Sequence, residues 1–407
     1  MKRLECLDGL RGALALYVLL THMAPFAALP AWIVRPLSHG EAGVDLFFIL
    51  SGLVIVRSLE RFDYRAQPFL IARVARIFPV FLPVFALAVA AQPIGVGFAR
   101  MPWIGPDSTA RLIWSDGWPA TWAPELAVHL TMLHGLFPNA ILPDVWVRFL
   151  GAAWSLSTEW QFYILVVLVG ARFGRGERGL WRLAALLLGL AVLGAAWRDA
   201  AGAPWQFSRA FLLNKAAYFA LGVASAATLR DPTARLRFLG VLAVVLTLCV
   251  TRDNPLKILP PIIWLVCMAA QSAQEQAGWS LFRELGRVLR SAPLRWLGAV
   301  SYCVYLVNEP IQKLLGVTLS TVVGGEAALF TALWLPAAVV LPLGAAWLLH
   351  VWIELPALRR GHLLAAAALR RLQPDGTEDY DGRPHALVTI RSHGPSMSLS
   401  DVAKSRG

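Results

Sequence analysis

Long apolar stretches of this 407-residue chain contain ionisable side chains, among them His22, Asp45, Glu159, Lys215 and Glu309. Because ionisable groups are costly inside a membrane, each of them is a candidate for function. A neutral histidine can remove a proton from a hydroxyl group, and a neighbouring carboxylate can fix its tautomer or stabilise the imidazolium. The residue types therefore predict acid–base catalysis by His22, with Asp45 or Glu159 as its partner.

The positions of these residues within their apolar stretches place them at a similar depth. With a rise of about 1.5 Å per residue, all five fall roughly 4 to 10 Å beyond the midplane on the outer side. Polar groups from several helices at one level favour a hydrated cavity. Three simpler interpretations stay open: His22 joins two helices by a hydrogen bond, Lys215 extends to the interface, and Asp45 is an interfacial residue.

Three arginines form a second candidate site, near the opposite face. Arg73 and Arg76 are three residues apart and share a helix face at the start of the third apolar stretch. Arg11 precedes His22 by eleven residues, which is about three turns, so both lie on one face of the first helix. Arginines at a cavity mouth suit a phosphate-bearing ligand, whose oxygens they bind bidentately. The alternative is the ordinary enrichment of basic residues on the cytoplasmic side.

The composition shows which kind of molecule must position these groups. The chain is 57% hydrophobic and 15% charged, with a mean hydropathy of +0.58, whereas soluble domains carry about 25% charged residues. The formal net charge is nevertheless +12, a bias typical of a polytopic membrane protein and not of a nucleic-acid binder. These values exclude a disordered chain and a one-domain soluble enzyme. The four cysteines lack metal-ligand spacing, so we expect neither a metal site nor a disulfide scaffold.

Ten apolar stretches are long enough, or nearly so, to cross a bilayer, which requires about 20 residues. They cover residues 10–29, 43–60, 77–97, 154–172, 180–197, 209–228, 236–251, 255–271, 297–316 and 326–351. An eleventh stretch, 124–142, is shorter and contains His129, His134 and Pro138. With ten spans and a cytoplasmic N-terminus, most basic residues fall on the cytoplasmic side, and an eleventh span would remove this asymmetry. We therefore predict an all-α polytopic integral membrane protein of about ten transmembrane helices, with N- and C-termini cytoplasmic.

Two further segments complete the expected organisation. Residues 98–153 form a long outer segment rich in tryptophan and proline, which is either an interfacial aromatic belt or a lid or re-entrant element over the site. Residues 373–407 are polar and rich in Gly, Ser and Asp, so we expect a disordered cytoplasmic tail after a transmembrane domain of residues 1–360. The N-terminus lacks the small-residue cleavage site of a signal peptide, and the first span is expected to stay in the protein.

Five sequence motifs resemble those of the membrane acyltransferase-3 family, whose bacterial members acylate polysaccharides and related envelope or secreted molecules. In chain order they are LDGLRG at 7–12 followed by His22, GVDLFFILSG at 43–52, RVARIFP at 73–79, WSLSTEWQFY at 154–163 and SYCVYL at 301–306. Each motif is short, but five in the same order form a specific pattern. The resemblance as a whole covers residues 4–356, nearly everything but the tail.

The resemblance implies a stand-alone enzyme of ten spans, without an appended periplasmic domain, in the bacterial cytoplasmic (inner) membrane. It implies transfer of an acyl group from cytoplasmic acyl-CoA, a co-substrate and not a bound cofactor, to an acceptor at or beyond the outer face. His22 matches the family's catalytic histidine, and Arg73 and Arg76 match the pair that holds the phosphates of CoA. The family's YLxHxP motif commonly has histidine where this chain has Asn308, so a role for imidazole is excluded at that position.

The predicted function is that of an acyl-CoA-dependent membrane O-acyltransferase, with acetyl as the expected acyl group and a carbohydrate, glycolipid or secreted small molecule as acceptor. The predicted site consists of catalytic His22, Asp45 and Glu159, acyl-CoA-binding Arg11, Arg73 and Arg76, and substrate-pocket Asp8, Ser51, Lys215, Asn308 and Glu309. Membrane lipids are the other expected partners; neither nucleic acid nor a metal is expected. His22 acts either as a general base or through an acyl-histidine intermediate. The alternatives are a proton-coupled transporter and a non-catalytic scaffold.

Overall fold

The computed structural model describes residues 4–114, 117–173, 175–251, 254–273 and 280–372. In these ranges the regular structure is helical, apart from an isolated antiparallel bridge between Pro138 and Phe207. The predicted all-α class is therefore confirmed. The predicted tail, residues 373–407, lies outside the described residues.

Fifteen α-helices, several 3-10 turns and one π-helical turn make up this structure. The α-helices are α1 (Glu5–Met23), α2 (Ala31–Val34), α3 (Gly40–Arg61), α4 (Ala66–Ala90), α5 (Ala110–Ile113), α6 (Trp122–Leu130), α7 (Ala153–Phe173), α8 (Glu177–Ala200), α9 (Ala216–Thr228), α10 (Arg235–Val250), α11 (Leu259–Ser272), α12 (Ser280–Leu289), α13 (Ala292–Val323), α14 (Ala327–Leu349) and α15 (Leu355–Arg371). The π-helical turn, His350–Glu354, joins α14 to α15.

Several helical segments are long and apolar enough to cross a membrane. Six meet this requirement among the described residues: Ala31–Arg61, Ala66–Ala90, Glu177–Ala200, Pro232–Val250, Pro255–Ser272 and Ala327–Arg371. Each of the ten predicted stretches overlaps a helix, but the number of ten and the cytoplasmic termini stay predictions. Within the eleventh stretch, α6 has 9 residues and rises about 14 Å, less than half of the roughly 30 Å hydrocarbon core.

Two helix boundaries differ from the predicted ones, and local chemistry explains the difference. Helix α1 ends at Met23 because Pro25 lacks the backbone N–H that would continue the helix. The sixth predicted span begins at 209, but α9 starts only at Ala216. Before it, the side-chain amide of Asn214 donates to the carbonyl oxygen of Ser208 at 2.8 Å, which stabilises a turn in place of helix.

Close backbone contacts at glycines decide which helices lie together. A Cβ atom at Gly12 of α1 would lie 2.2 Å from the carbonyl oxygen of Leu294 in α13. A Cβ atom at Gly222 of α9 would lie 1.9 Å from the carbonyl oxygen of Ile49 in α3. Only glycine permits such an approach, so α1 lies directly against α13 and α3 directly against α9. These two helix pairs carry much of the site described below.

The outer segment, residues 98–153, is anchored by a buried tryptophan. Trp114 is 1% exposed, stacks on Phe26 with ring centroids 3.5 Å apart, and packs edge-on against Trp334 of α14. Trp118 and Trp122, by contrast, are 46% and 49% exposed. Trp114 therefore anchors the segment, whereas Trp118 and Trp122 keep the exposure that an interfacial belt requires.

Candidate active site

His22, near the end of α1, is held by Asn308 of α13. Nδ1 of His22 lies 2.7 Å from Oδ1 of Asn308. The side-chain nitrogen of Asn308 donates to the carbonyl oxygens of Val304 and Tyr305, at 2.9 and 2.7 Å, so its oxygen must face the imidazole. An oxygen acceptor at this distance requires the proton on Nδ1, which leaves the lone pair on Nε2. Nε2 is therefore the basic nitrogen of this imidazole.

The carboxylate of Glu309 lies at the start of α7 and interacts electrostatically with His22. Its two oxygens accept hydrogen bonds from the backbone N–H groups of Gly151 and Ala152, both at 3.0 Å. These two hydrogen bonds hold the carboxylate in one position at the N-terminus of α7, where the helix dipole favours a negative charge. A fixed negative charge beside an imidazole stabilises the imidazolium that forms when the ring takes up a proton.

One cavity, called the outer cavity because it adjoins the outer segment, includes His22 and Glu309 in its wall. Other ionisable and aromatic members of the wall are His39, Glu41, Trp146, Trp154, Arg209, Lys257 and Tyr305. The outer segment contributes Thr109, Leu112 and Ile113. Part of residues 98–153 therefore borders this cavity, as a lid would.

Five charged side chains beside the outer cavity form a network, the outer charge cluster: Glu41, Asp45, Arg209, Lys215 and Lys257. Nζ of Lys215 lies 2.6 Å from Oε1 of Glu41 and 2.6 Å from Oδ1 of Asp45. Lys257 pairs with both carboxylates, and Nη1 of Arg209 lies 3.3 Å from Oε2 of Glu41. The side chains of Asp45 and Lys215 are 0% and 2% exposed, so their charges depend on this pairing.

A second cavity, called the inner cavity, contains the arginines of the predicted basic site. Its polar wall consists of Arg11, Ser51, Arg73, Arg76, Ser155, Glu159, Tyr163, Ser301, Tyr302 and Tyr305. Ser51 Oγ donates to Oε1 of Glu159 at 3.0 Å, and the hydroxyl of Tyr163 donates to the same oxygen. Arg11 interacts electrostatically with Glu159 and with Asp8. The cavity is thus polar on several sides, with three guanidinium groups in its wall.

The guanidinium of Arg73 contacts neutral groups. Its Nη2 donates to Oγ of Ser58 at 3.0 Å, and its carbon lies 5.7 and 5.8 Å from the ring centroids of Phe69 and Tyr163. Its Nε is buried without a hydrogen-bond partner among the described residues. A buried donor of this kind is costly unless a ligand or water accepts its hydrogen bond. Arg73 therefore keeps both its charge and a donor for a ligand.

Arg76, in contrast, forms an ion pair with Glu354 of the π-helical turn. The carboxylate of Glu354 is 0% exposed and also contacts Nδ1 of His350 at 2.6 Å and the thiol of Cys303 at 3.2 Å. The ligand atoms of Cys303, His350 and Glu354 lie within 4.8 Å of one another, a spacing that could hold a metal. The guanidinium of Arg76 already supplies, at the carboxylate of Glu354, the positive charge that a metal ion would bring.

The two cavities meet at Val44 and Tyr305, which line both of them. The hydroxyl of Tyr305 accepts a hydrogen bond from Oγ of Ser155 at 2.8 Å, and this contact links α13 to α7 at the junction. A ligand bound at the arginines of the inner cavity could therefore extend past Val44 and Tyr305 toward His22.

The sequence profile of an acyltransferase domain, that of the acyltransferase-3 family, matches residues 4–351. The chain belongs to the acyltransferase-3 family. Protein 2 in the picA locus of Rhizobium radiobacter is 33% identical over 177 residues, which are 42% of this chain and 83% of that protein. No solved structure matches the chain. The family match and the helical fold support the predicted membrane acyltransferase.

This acyltransferase brings most of the predicted site residues into two groups. The outer cavity contains His22 and Glu309, and the inner cavity contains Arg11, Ser51, Arg73, Arg76 and Glu159. Behind these walls, Asn308 contacts His22, Asp45 pairs with Lys215, and Asp8 interacts with Arg11. The imidazole and the arginines thus line two different cavities.

The carboxylates predicted to adjoin His22 have other partners in the acyltransferase. Asp45 pairs with two lysines, and Glu159 accepts hydrogen bonds from Ser51 and Tyr163. The group that fixes the imidazole tautomer is the amide of Asn308, because α13, and neither α3 nor α7, carries the partner of Nδ1.

Lys215 is buried in ion pairs, which contradicts the interpretation that it extends to the interface.

Several residues of the site were not predicted from the sequence. Glu41 precedes Asp45 by one helical turn, so the spacing of these two carboxylates was a usable signal. Arg209 and Lys257 lie at or near the starts of two predicted stretches, and nothing in their neighbourhood in the sequence indicates a shared cluster. Tyr305 lies within one of the five motifs, but its place at the junction of two cavities depends on the packing of α13.

Proposed function

We propose that this acyltransferase transfers an acyl group, acetyl in the simplest case, from cytoplasmic acyl-CoA to a hydroxyl group of an envelope polysaccharide, a glycolipid or a secreted small molecule. The observation that carries the proposal is the pair of cavities, one with three arginines and one with His22, that meet at Val44 and Tyr305. Their chemistry suits a donor with phosphates at one end and a reactive thioester at the other. The proposed location is the bacterial inner membrane, with both termini in the cytoplasm.

Arg73 and Arg11 are the proposed binding groups for the phosphates of CoA. Arg73 is held by neutral partners and has a buried Nε–H without a partner among the described residues, so phosphate oxygens would add a charge-assisted hydrogen bond. Arg76 is neutralised by Glu354 and contributes less to affinity. With the phosphates at this end, the pantetheine arm runs through the junction at Tyr305.

His22 is the proposed general base, acting through Nε2. The acceptor O–H proton moves to Nε2 while the acceptor oxygen bonds to the acyl carbon; the C–S bond then breaks, and the thiolate of CoA takes the proton back from the imidazolium. Asn308 keeps Nδ1 protonated, and Glu309 stabilises the imidazolium. In the second route, Nε2 bonds to the acyl carbon, the C–S bond breaks and CoA leaves as its thiolate. The acceptor hydroxyl then bonds to the acyl carbon, the C–N bond to Nε2 breaks, and the hydroxyl proton passes to the thiolate.

The test uses the full chain purified in lipid nanodiscs with radiolabelled acetyl-CoA. We expect release of CoA and transfer of label to added glycan, and we expect His22→Ala to remove both without changing the amount of folded protein. General acid–base groups contribute about 10²- to 10⁴-fold to rate, so we expect the rate of His22→Ala to be lower than that of the wild type by about 10²-fold or more. The matched control is His362→Ala, at an exposed histidine of α15 that lines neither cavity.

Wild-type turnover in His22→Ala, or no CoA release from any acyl-CoA by the wild type, would reject the proposal. Label that stays on the protein after acid quenching, and that is absent in His22→Ala, selects the acyl-histidine route. Label found only on the acceptor selects direct transfer.

A further inference from the structure

The outer charge cluster contains more positive than negative charge. Its described members are the cations Arg209, Lys215 and Lys257 and the carboxylates Glu41 and Asp45. Three cations against two carboxylates leave one positive charge in excess. Because the cluster lies at the outer cavity that includes His22, this excess acts on whatever the cavity binds.

The distances show which cation is least neutralised. Lys215 lies 2.6 Å from each of two carboxylate oxygens, and Lys257 pairs with the same two carboxylates. Arg209 has one ion pair, at the longer distance of 3.3 Å, to Glu41, which both lysines already contact. The excess charge of the cluster is therefore concentrated on Arg209.

Exposure and orientation place this charge within reach of a ligand. The side chain of Arg209 is 40% exposed, against 2% for Lys215 and 13% for Lys257. Its guanidinium lies over Trp146, 4.5 Å from the ring centroid, and 5.9 Å from that of Trp154. When a guanidinium lies over an indole, its N–H groups still point outward in the plane of the guanidinium. They can then bind two oxygens at once.

We propose that Arg209, stacked on Trp146, forms an acceptor subsite for a glycan that carries an anionic group, a carboxylate or a phosphate, near the hydroxyl group that is acylated. Arg209 binds the two oxygens of the anion, and the indole of Trp154 offers an apolar surface to the sugar ring. This proposal rests on the proposed function in one respect: the anionic glycan is taken to be the acceptor of the acyl group. Binding itself needs neither acyl-CoA nor turnover.

The experiment measures sugar binding to the full chain in nanodiscs, without acyl-CoA, by saturation-transfer NMR titration. The probes are methyl β-glucuronide, glucose 6-phosphate and methyl β-glucoside, and the first two distinguish a carboxylate from a phosphate. We expect at least one anionic sugar to bind about tenfold more tightly than the neutral glycoside, the difference given by one charge-assisted contact. Arg209→Gln should remove this preference, and Arg209→Lys should keep part of it.

The matched control is Arg111→Gln, because the guanidinium of Arg111 likewise lies over an aromatic ring, 4.4 Å from the ring centroid of Phe98. Arg111→Gln should leave the preference for the anionic sugar unchanged. Equal affinities for charged and neutral sugars, no binding of either anionic sugar, or the same loss in Arg111→Gln overturns the subsite.

CoA release from acetyl-CoA, measured on the same samples, separates this proposal from the proposed function. A preference for anionic sugars without any CoA release rejects the acyl-CoA donor and supports the subsite. CoA release that is fastest with the neutral glycoside supports the acyltransferase and rejects the subsite.

Discussion

Nδ1 of His22 lies 2.7 Å from Oδ1 of Asn308, although the two residues are 286 positions apart in the chain. The amide of Asn308 is itself fixed by two backbone carbonyl oxygens, so its oxygen, and not its nitrogen, faces the imidazole. This one contact leaves the lone pair of His22 on Nε2. The same hydrogen bond joins α1 to α13, so His22 also links two helices, which was one of the simpler interpretations of this residue. The position of His22 in the wall of the outer cavity is what gives the free nitrogen access to a substrate.

Asn308 should act as a positioning residue for His22. Asn308→Leu removes the acceptor of Nδ1–H, so we expect kcat to fall by about tenfold or more while the KM for acyl-CoA stays the same. Asn308→Asp keeps an oxygen acceptor but adds a negative charge that favours the imidazolium. The acid side of its pH–rate profile should therefore move to higher pH, because a higher pH is needed to make His22 neutral. A purely structural role would lower activity at all pH values without moving the profile.

Arg73 should bind the donor. Arg73→Gln removes a charge and the N–H groups directed at a phosphate, so we expect the KM for acyl-CoA to rise about tenfold with kcat within about twofold of the wild type. Arg65→Gln is the matched control, since Arg65 is exposed and directly precedes α4. A fall of kcat alone in Arg73→Gln, with an unchanged KM, would show that Arg73 does not hold the phosphates.

Arg76 should contribute mainly to stability. Arg76→Gln leaves the buried carboxylate of Glu354 without its guanidinium partner, and the loss of one partner from a buried pair costs on the order of 3 kcal/mol. The double variant Arg76→Gln/Glu354→Gln removes the unpaired charge, so its Tm should return toward that of the wild type. Thermal unfolding in detergent measures both. Equal Tm values for the single and double variants would contradict the coupling.

Asp45 should stabilise the outer charge cluster without taking part in proton transfer. Asp45→Asn leaves Lys215 and Lys257 with Glu41 as their shared carboxylate, and we expect a loss of stability on the order of 3 kcal/mol. Turnover per folded molecule, at saturating substrates, should stay within about threefold of the wild type because His22 contacts a different residue. Asp107→Asn, at an exposed aspartate of the outer segment, is the control. Turnover that is abolished at unchanged Tm would assign Asp45 to catalysis.

The sequence alone predicted the all-α membrane class and where most helices lie, because hydropathy and helix ends are properties of neighbouring residues. It also predicted members of the site, His22, Arg73 and Asn308 among them, because their residue types are unusual in apolar stretches or match a motif. Where the predicted helix ends were wrong, as at Pro25 and Asn214, the cause was also local. These errors moved boundaries and changed no helix into another element.

The tertiary structure decided which of these side chains meet. Asp45 was expected beside His22 but pairs with Lys215, 170 positions away, and Arg76 pairs with Glu354, 278 positions away. Such pairs depend on which helices touch and at what rotation. In this acyltransferase the backbone approaches at Gly12 and Gly222 fix that choice for α1 with α13 and for α3 with α9. A contact between distant helices is a property of their packing, and the order of residues along one helix does not specify it.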